Sequence, residues 1–478
     1  MFRSTLFRVL TLAAAFCTAA GPVSAESPAS SAGADARRAA GGGTGRPAPA
    51  NPVIEWASIV QPAIHSAAAP RSGGTSQILH TMMALAVYDA VVAIEGGYRP
   101  YAAAIDAPRG ADVRAAVATA AYLAVRPRLV EARRAWLDEQ YAAYMSAIPD
   151  SSSKADGARV GQQAAEALLA LRADDGFDAP VRYACSDVPP PVGEFEPDNG
   201  CPGTDGQPQP VDVKVGGIRP FTLHDANRYR TSGPAPMRSR TYTRDFIETR
   251  DYGRRDSTVR TPEQTDIAYF WSEHPYQHWN RNLIRLAVAR KLDERRAARF
   301  FAMVHTAASD AVIAGFAAKY HYRSWRPRTA IHLADVDGNP ETDADTTWEP
   351  LLLVNHPEYP SGHGFWSTAV LGSVAAFFGT TRVSWTLDTS KAAVPQLVVT
   401  ERTYTNLVAL LGQIGNARIW AGLHWRHAVE HGSLIGGRVA HHVAMHHFTP
   451  VRGRGHGKVT PSAPVRARRP AFDSAASR

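Results

Sequence analysis

The run over residues 75–95 constrains the fold most: Leu79, Met83, Ala86, Ala90 and Ala93 recur at helical spacing, and Gly96-Gly97 ends the run. An apolar stripe of that length has to bury itself against other helices. Helical patterning over about 110–123, 127–146 and 154–172 supplies them, so residues 51–173 are expected to form an Ala-rich bundle. From Asp174 to Ser232 the period disappears, and Pro189-Pro190-Pro191, Gly203, Pro208 and Pro210 break any long element. This region, taken as 174–260, is too long for a mere connection and suits a lid, a rim or a homo-oligomer contact. Short extended pieces are expected near 211–215 and 240–246.

Helical signal returns at Thr261-Pro262-Glu263-Gln264, where Thr261 can cap, Pro262 fits the first turn and Gln264 can close a capping box. Helices are expected at about 261–273, 277–290, 293–320, 362–378, 401–419 and 425–447, which makes 261–448 a second bundle. The fold class is therefore mainly α, with two packed helical bundles. Tyr88-Asp89-Ala90-Val91-Val92-Ala93 is echoed by Ser309-Asp310-Ala311-Val312-Ile313-Ala314. A duplicated bundle would produce this echo, and so would two unrelated Ala-rich helices.

The ends of the chain read differently. Arg3 and Arg8, an apolar stretch over 9–20 and Val23-Ser24-Ala25 before Glu26 have the order of a signal peptide over 1–25, which predicts a secreted or periplasmic protein. No later segment offers the ~20 uninterrupted apolar residues of a membrane span, so no transmembrane anchoring is expected. Residues 26–50, rich in Ala, Gly, Ser and Pro, read as a flexible lead-in. The net charge of +8 would suit a nucleic-acid partner, but seven cations against Asp473 fall within residues 451–478. The basicity thus belongs mostly to a disordered tail over 449–478, and no specific nucleic acid is expected. Cys17 falls in the signal, whereas Cys185 and Cys201 share one loop, where an oxidising compartment predicts a disulfide.

Three segments carry chemistry: Lys319 to Pro327 (KYHYRSWRP), Pro360-Ser361-Gly362-His363, and Arg418 to His424 (RIWAGLH). A tetrahedral oxyanion presents several acceptors around one centre, so it needs several donors at once. Arg326 and Arg418 offer forked donors, and Lys319 offers a compact charge. Ser361 and Gly362, at the start of a predicted helix, add a hydroxyl, a backbone N–H and the favourable end of the helix field. Gly362 also lets the backbone come close where a Cβ would intrude. His424 can attack a phosphorus atom or bind a metal centre axially, and His363 can carry a proton. The target is either vanadate serving as a cofactor or the phosphate of a substrate.

Two other patterns weigh less. His427 and His431, like His442 and His446, stand one helical turn apart, a spacing that zinc or nickel can use but that a histidine-rich helix face explains equally. Asp335, Asp337, Asn339, Asp343 and Asp345 imitate a calcium loop, yet Pro340 stands where the turn glycine belongs and Thr346 where the bidentate glutamate belongs.

At these segments the chain resembles the superfamily of vanadium-dependent haloperoxidases and type 2 phosphatidic acid phosphatases. Lys319 and Arg326-Pro327 match the first part of its signature, Pro360 to His363 the second, and Arg418, Gly422 and His424 the third, in family order. The flanking Ser324-Trp325-Arg326-Pro327 and Gly422-Leu423-His424-Trp425-Arg426 look like the soluble haloperoxidase-like branch. Two departures stand out: Ala417 replaces the pattern's Ser, and Ala428 replaces its Asp, leaving His424 without that carboxylate unless another substitutes. Asp310 is the candidate acidic partner for Arg418 or the site.

The resemblance implies a vanadium haloperoxidase-like fold and vanadate as cofactor. Lys319, Arg326, Ser361, Gly362 and Arg418 would contact its equatorial oxygens, His424 would be the axial ligand to vanadium, and His363 the acid–base residue, with Lys319 helping to polarise hydrogen peroxide. His356 would line a halide pocket, favouring bromide over chloride. The same donors would serve an exported acid phosphatase that cleaves a phosphate ester through a phosphohistidine. A non-catalytic oxyanion-binding or scaffolding protein is the third reading, kept open by Ala417 and Ala428.

Overall fold

The computed structural model describes residues 51–65, 71–198, 200–201, 209–390, 394 and 396–451. The expected signal peptide, the lead-in and nearly all of the basic tail lie outside the described residues.

The first bundle opens with α1 (Pro52–Ile64), where the Asn51 side chain accepts from the Val53 and Ile54 N–H groups. Sequence reading passed over this helix, whose Pro-bounded stripe of Trp56, Val60 and Ile64 is short but fully buried. α2 (Gly73–Glu95) is buried from Gly73 through Val92. Its start is held by Asp212, whose carboxylate accepts the Gly74 N–H at 3.0 Å. α3 (Val113–Val125) and α5 (Ser152–Leu171) begin at the side-chain caps Asp112 and Ser151, with α4 (Glu131–Ser146) between them.

The region between the bundles contains no strand at either expected place. Residues 211–214 form a turn with Asp212 at φ 58, followed by the 3-10 turn Val215–Gly217. Residues 240–246 belong to α6 (Arg240–Gly253), which Ser239 caps. The apparent alternation there is a helix face, with Tyr242, Phe246 and Thr249 buried at spacings of four and three. Cys185 and Cys201 are joined as a disulfide. Their hairpin lies along the turn before Arg326: the Phe195 N–H donates to the Arg323 carbonyl at 2.6 Å, and the Trp325 N–H to that of Gly193 at 2.9 Å.

The second bundle begins at α7 (Pro262–Phe270), where both halves of the Thr261–Gln264 capping box form. α8 (Pro275–Ala289), α9 (Glu294–Tyr322) and the short α10 (Pro327–His332) follow, and then α11 (Gly362–Phe378). The helix expected over 401–419 is shorter. Residues Glu401–Tyr404 form β2, paired antiparallel with β1 (Trp385–Asp388), and α12 (Leu407–Trp420) starts only after Asn406 accepts the Val408 N–H. α13 (Arg426–His446) closes the bundle.

One continuous apolar core joins the two bundles, through the packing of α9 on α2. Both helices have the length and composition to cross a membrane, yet those apolar stretches are 94% and 89% buried inside the protein. Asp89 and Asp310, the acidic residues of the sequence echo, both serve as buried acceptors for the main chain. Asp89 takes the Tyr101 and Ala102 N–H groups at 2.6 and 2.7 Å, and Asp310 takes those of Phe221 and Thr222 at 2.6 and 2.8 Å. Asp310 is therefore not the acidic partner of Arg418: its two oxygens are spent holding the 219–222 segment, with Thr222 Oγ1 as a further donor.

α11 and α13 cross in close contact, and this crossing positions the site. A Cβ at Gly436 would stand 2.2 Å from the Phe365 carbonyl oxygen, and one at Gly432 2.5 Å from that of Ser361. Gly436→Val should therefore overpack this crossing and cost about 1–3 kcal/mol, read as a lower urea midpoint at unchanged m-value.

Histidines fill part of the interior. His80 and His305 stack at 5.6 Å, and burial holds His80 well below the usual imidazole range and His305 down to about 3. Because the unfolded imidazoles bind protons first, stability is lost as pH falls below about 6.5, by about 1.4 kcal/mol per pH unit for each such group. Replacing His305 with Phe should flatten the stability profile between about 3 and 6.5 by the slope of one proton, measured by urea unfolding across that window.

Candidate functional site

The three segments singled out in the sequence meet at one place. Lys319 sits in the last turn of α9, which ends at Arg323 in the left-handed conformation, φ 48. That reversal brings Arg326 to the N-cap of α10. Ser361 is the N-cap of α11 with Gly362 first in the helix, Arg418 lies in the last turn of α12, and His424 lies in the link from α12 to α13. The link turns at Gly422, φ 72, where a Cβ would stand 2.6 Å from the Gly253 carbonyl oxygen.

Lys319, Arg326 and Arg418 are all buried, at 0%, 8% and 2% exposure. Main-chain carbonyls hold them. Lys319 Nζ donates to Pro357 O at 2.7 Å and Glu358 O at 3.0 Å. Arg326 donates through Nε to His356 O and through Nη1 to Leu423 O, both at 2.7 Å, and Arg418 Nη2 donates to Trp271 O at 2.7 Å. Carbonyl dipoles orient these cations but do not neutralise them, and burying a charge costs several kcal/mol. Burial accordingly pulls Arg326 down to about 10 and Arg418 down to about 9, while burial and then Arg326 hold Lys319 well below its ordinary value.

His424 stands among them. Its Nδ1 is 2.8 Å from Glu358 Oε1, and its Nε2 is 3.4 Å from Arg326 Nη1. A guanidinium has no acceptor, so Nε2 carries a lone pair and Nδ1 the proton that goes to the carboxylate. Burial first, then the charges of Arg326, Lys319 and Arg418, hold this imidazole well below its usual pKa. His363 is shifted the same way by burial and Arg418, opposed by its hydrogen bond to the Trp271 carbonyl that also receives Arg418. His356 Nδ1 accepts from Arg326 Nη2 at 2.7 Å, and its ring meets Phe316 edge-on.

Glu358 was missed from the sequence. It is fully buried, and burial pushes its carboxyl up to about 8 despite Arg326 and Lys319. Only its place two residues after His356, in an otherwise apolar run ahead of Ser361, could have singled it out. Ala417 and Ala428 pack as buried apolar residues. The His427 and His431 rings lie 3.8 Å apart between centroids and are tilted by 41°, and among the described residues no group of three or more metal-ligating side chains has the geometry to hold a metal ion. The suspected calcium loop is braced from within: Asp337 accepts the Asn339 N–H at 2.6 Å and Thr342 Oγ1 at 2.9 Å.

Two observations favour an oxyanion as the ligand of this arrangement. Ser361 Oγ and Arg418 Nε are buried without a protein partner, and a Cβ on Gly362 would meet nothing closer than Phe365 Cζ at 3.9 Å. Two buried donors are thus left without a protein acceptor, and the position above the Gly362 Cα is unfilled.

Residues 299–453 match the family model of the VCPO second helical-bundle domain. That match takes in most of the second bundle, from within α9 to the end of α13. The chain is also similar to the vanadium chloroperoxidase of Curvularia inaequalis, at 29% identity over 160 residues. That match covers 28% of this chain and spans about a quarter, 26%, of the length of the curated relative. The fold agrees much further. The first bacterial vanadium-dependent iodoperoxidase superposes with a TM-score of 0.65 at 21% identity, covering 82% of this chain and 94% of that one. The holo-type bacterial vanadium-dependent chloroperoxidase gives a TM-score of 0.63 at 17% identity, covering 80% and 95%. Mainly helical and two-bundled, the chain has the vanadium haloperoxidase fold.

Filling the space at Gly362 isolates anion binding from folding. Gly362→Val should weaken binding of orthovanadate by about tenfold or more, about 1.4 kcal/mol, while thermal unfolding stays near that of the parent, as isothermal titration and calorimetry will show.

Proposed function

We propose that this chain is an exported, vanadate-dependent haloperoxidase that oxidises halide with hydrogen peroxide, bromide in preference to chloride. The convergence of three buried cations, Lys319, Arg326 and Arg418, around the Nε2 lone pair of His424 carries the proposal. The match of residues 299–453 to the VCPO second helical-bundle domain and the helical match to solved haloperoxidases support it. Vanadate, when bound, supplies a Lewis-acidic centre that activates peroxide toward halide.

The chain's own residues do the rest. Lys319, Arg326, Arg418, Ser361 Oγ and the Gly362 N–H would hold the oxygens of the anion, and His424 Nε2 would hold its central atom. His363 is neutral near pH 7, because burial and Arg418 disfavour its charged form, so it can take the proton that peroxide gives up. Arg326 spends one N–H on His356 and so has fewer donors for polarising the bound oxyanion. Bromide, the more easily oxidised halide, needs less polarisation than chloride. The Cys185–Cys201 disulfide fits an oxidising compartment and thus export. Against a merely binding protein stands Glu358, which gives His424 a carboxylate although Ala428 cannot.

A second reading draws on the same lone pair. His424 Nε2 could attack the phosphorus of a phosphate ester, since a pocket for five-coordinate vanadate is also a pocket for a phosphoryl transition state. Paired assays on one preparation separate the two. Bromide oxidation by peroxide should depend on added orthovanadate, and hydrolysis of 4-nitrophenyl phosphate without vanadate should be slow. His424→Ala should abolish the first activity. Rapid ester hydrolysis with no vanadate-dependent halide oxidation would reverse the ranking.

A further inference from the structure

The family pattern places a carboxylate four residues after the axial histidine, on the helix that follows it. Here that position is Ala428, 1% exposed, on a wall of a cavity of about 190 Å³ that Tyr242, Trp325, Tyr359 and Trp425 also line. Position 428 therefore offers no acid, and Asp245 on the same cavity is taken by the His427 N–H at 2.7 Å. Glu358, on the segment that leads into Ser361, lines this cavity too and reaches His424.

We propose that Glu358 is the positioning residue of His424, a carboxylate relocated from the helix after the histidine to the segment before Ser361. One oxygen, Oε1, grips two consecutive residues, accepting His424 Nδ1–H at 2.8 Å and the Trp425 N–H at 3.1 Å. This fixes both the ring and the main chain that carries it. Arg326 Nη1 faces the other edge of the ring at 3.4 Å and can only donate, so the two contacts demand the same tautomer. The main-chain carbonyl of Glu358 receives Lys319 at 3.0 Å. One residue thus ties the Lys319 ammonium to the His424 ring. The remaining oxygen, Oε2, has no protein partner, so orienting His424 and Trp425 accounts for every hydrogen bond this side chain makes.

The proposal rests on the oxyanion reading of the site, but it can be tested apart from turnover. In protein without vanadate, nitrogen NMR of labelled histidine should show His424 protonated at Nδ1. Glu358→Ala leaves only the longer 3.4 Å Arg326 contact to select the tautomer, so the second tautomer should appear, and orthovanadate affinity by isothermal titration should fall about 10–100-fold, the usual cost of removing a group that orients a ligand. Glu358→Gln keeps an acceptor oxygen and the side-chain volume, so it should retain the tautomer and most of the affinity. Adding Ala428→Asp to Glu358→Ala should recover both, because the new carboxylate would enter the space vacated beside His424. A Glu358→Ala protein that keeps the His424 tautomer and binds vanadate within about twofold of the parent overturns the proposal. A Glu358-dependent tautomer in a parent that binds neither vanadate nor phosphate supports the positioning role and sinks the oxyanion reading instead.

Discussion

Three cations share a dry interior with one nearby carboxylate, and much of the second bundle is arranged around that imbalance. An unpaired charge in such surroundings survives only if dipoles surround it. The carbonyls of residues 356–358, 423 and 271 serve that purpose, each brought in by a different stretch of chain. Those stretches must hold still, because a carbonyl that drifts releases its cation. The glycine-lined contact between α11 and α13 meets this demand: it lets Ser361 N donate to the Ala428 carbonyl at 2.9 Å, which locks the anion-facing end of α11 to the helix following His424.

The same imbalance explains why the site could be read from sequence while much of its support could not. Lys319, Arg326, Ser361, Gly362, Arg418 and His424 sit at fixed spacings within short words, and their residue types are complementary to an anion. Glu358 reaches a histidine 66 positions away, and no local pattern announces a contact that only the tertiary fold creates. Asp310 shows the converse error. Its place on the helix before Lys319 suggested a role in the site, but the loop at 219–222 took its oxygens.

Fold legibility followed the strength of the period. Long apolar stripes such as those of α2, α9 and α11 gave helices whose observed ends lie within two or three residues of expectation. Residues 240–246 misled because Thr and Tyr favour strands locally, whereas burial on one face made the segment helical. Residues 401–404 misled in the opposite direction: adjacency to a true helix extended the pattern across Asn406, the residue that caps α12. Against the solved haloperoxidases, 17–21% identity accompanies an overall match of the helices. Core positions tolerate exchange among apolar residues of similar volume, whereas a donor set around one anion does not tolerate exchange of charge.

The hairpin closed by Cys185 and Cys201 runs alongside residues 323–325, the reversal from which Arg326 projects. Were the proposed activity to release a hypohalous acid, a free thiol in this loop would be a ready target for it. Pairing the two sulfurs removes that target and ties down the loop that bonds to residues 323–325. On that proposal the cross-link would be chemical armour as well as a mechanical brace.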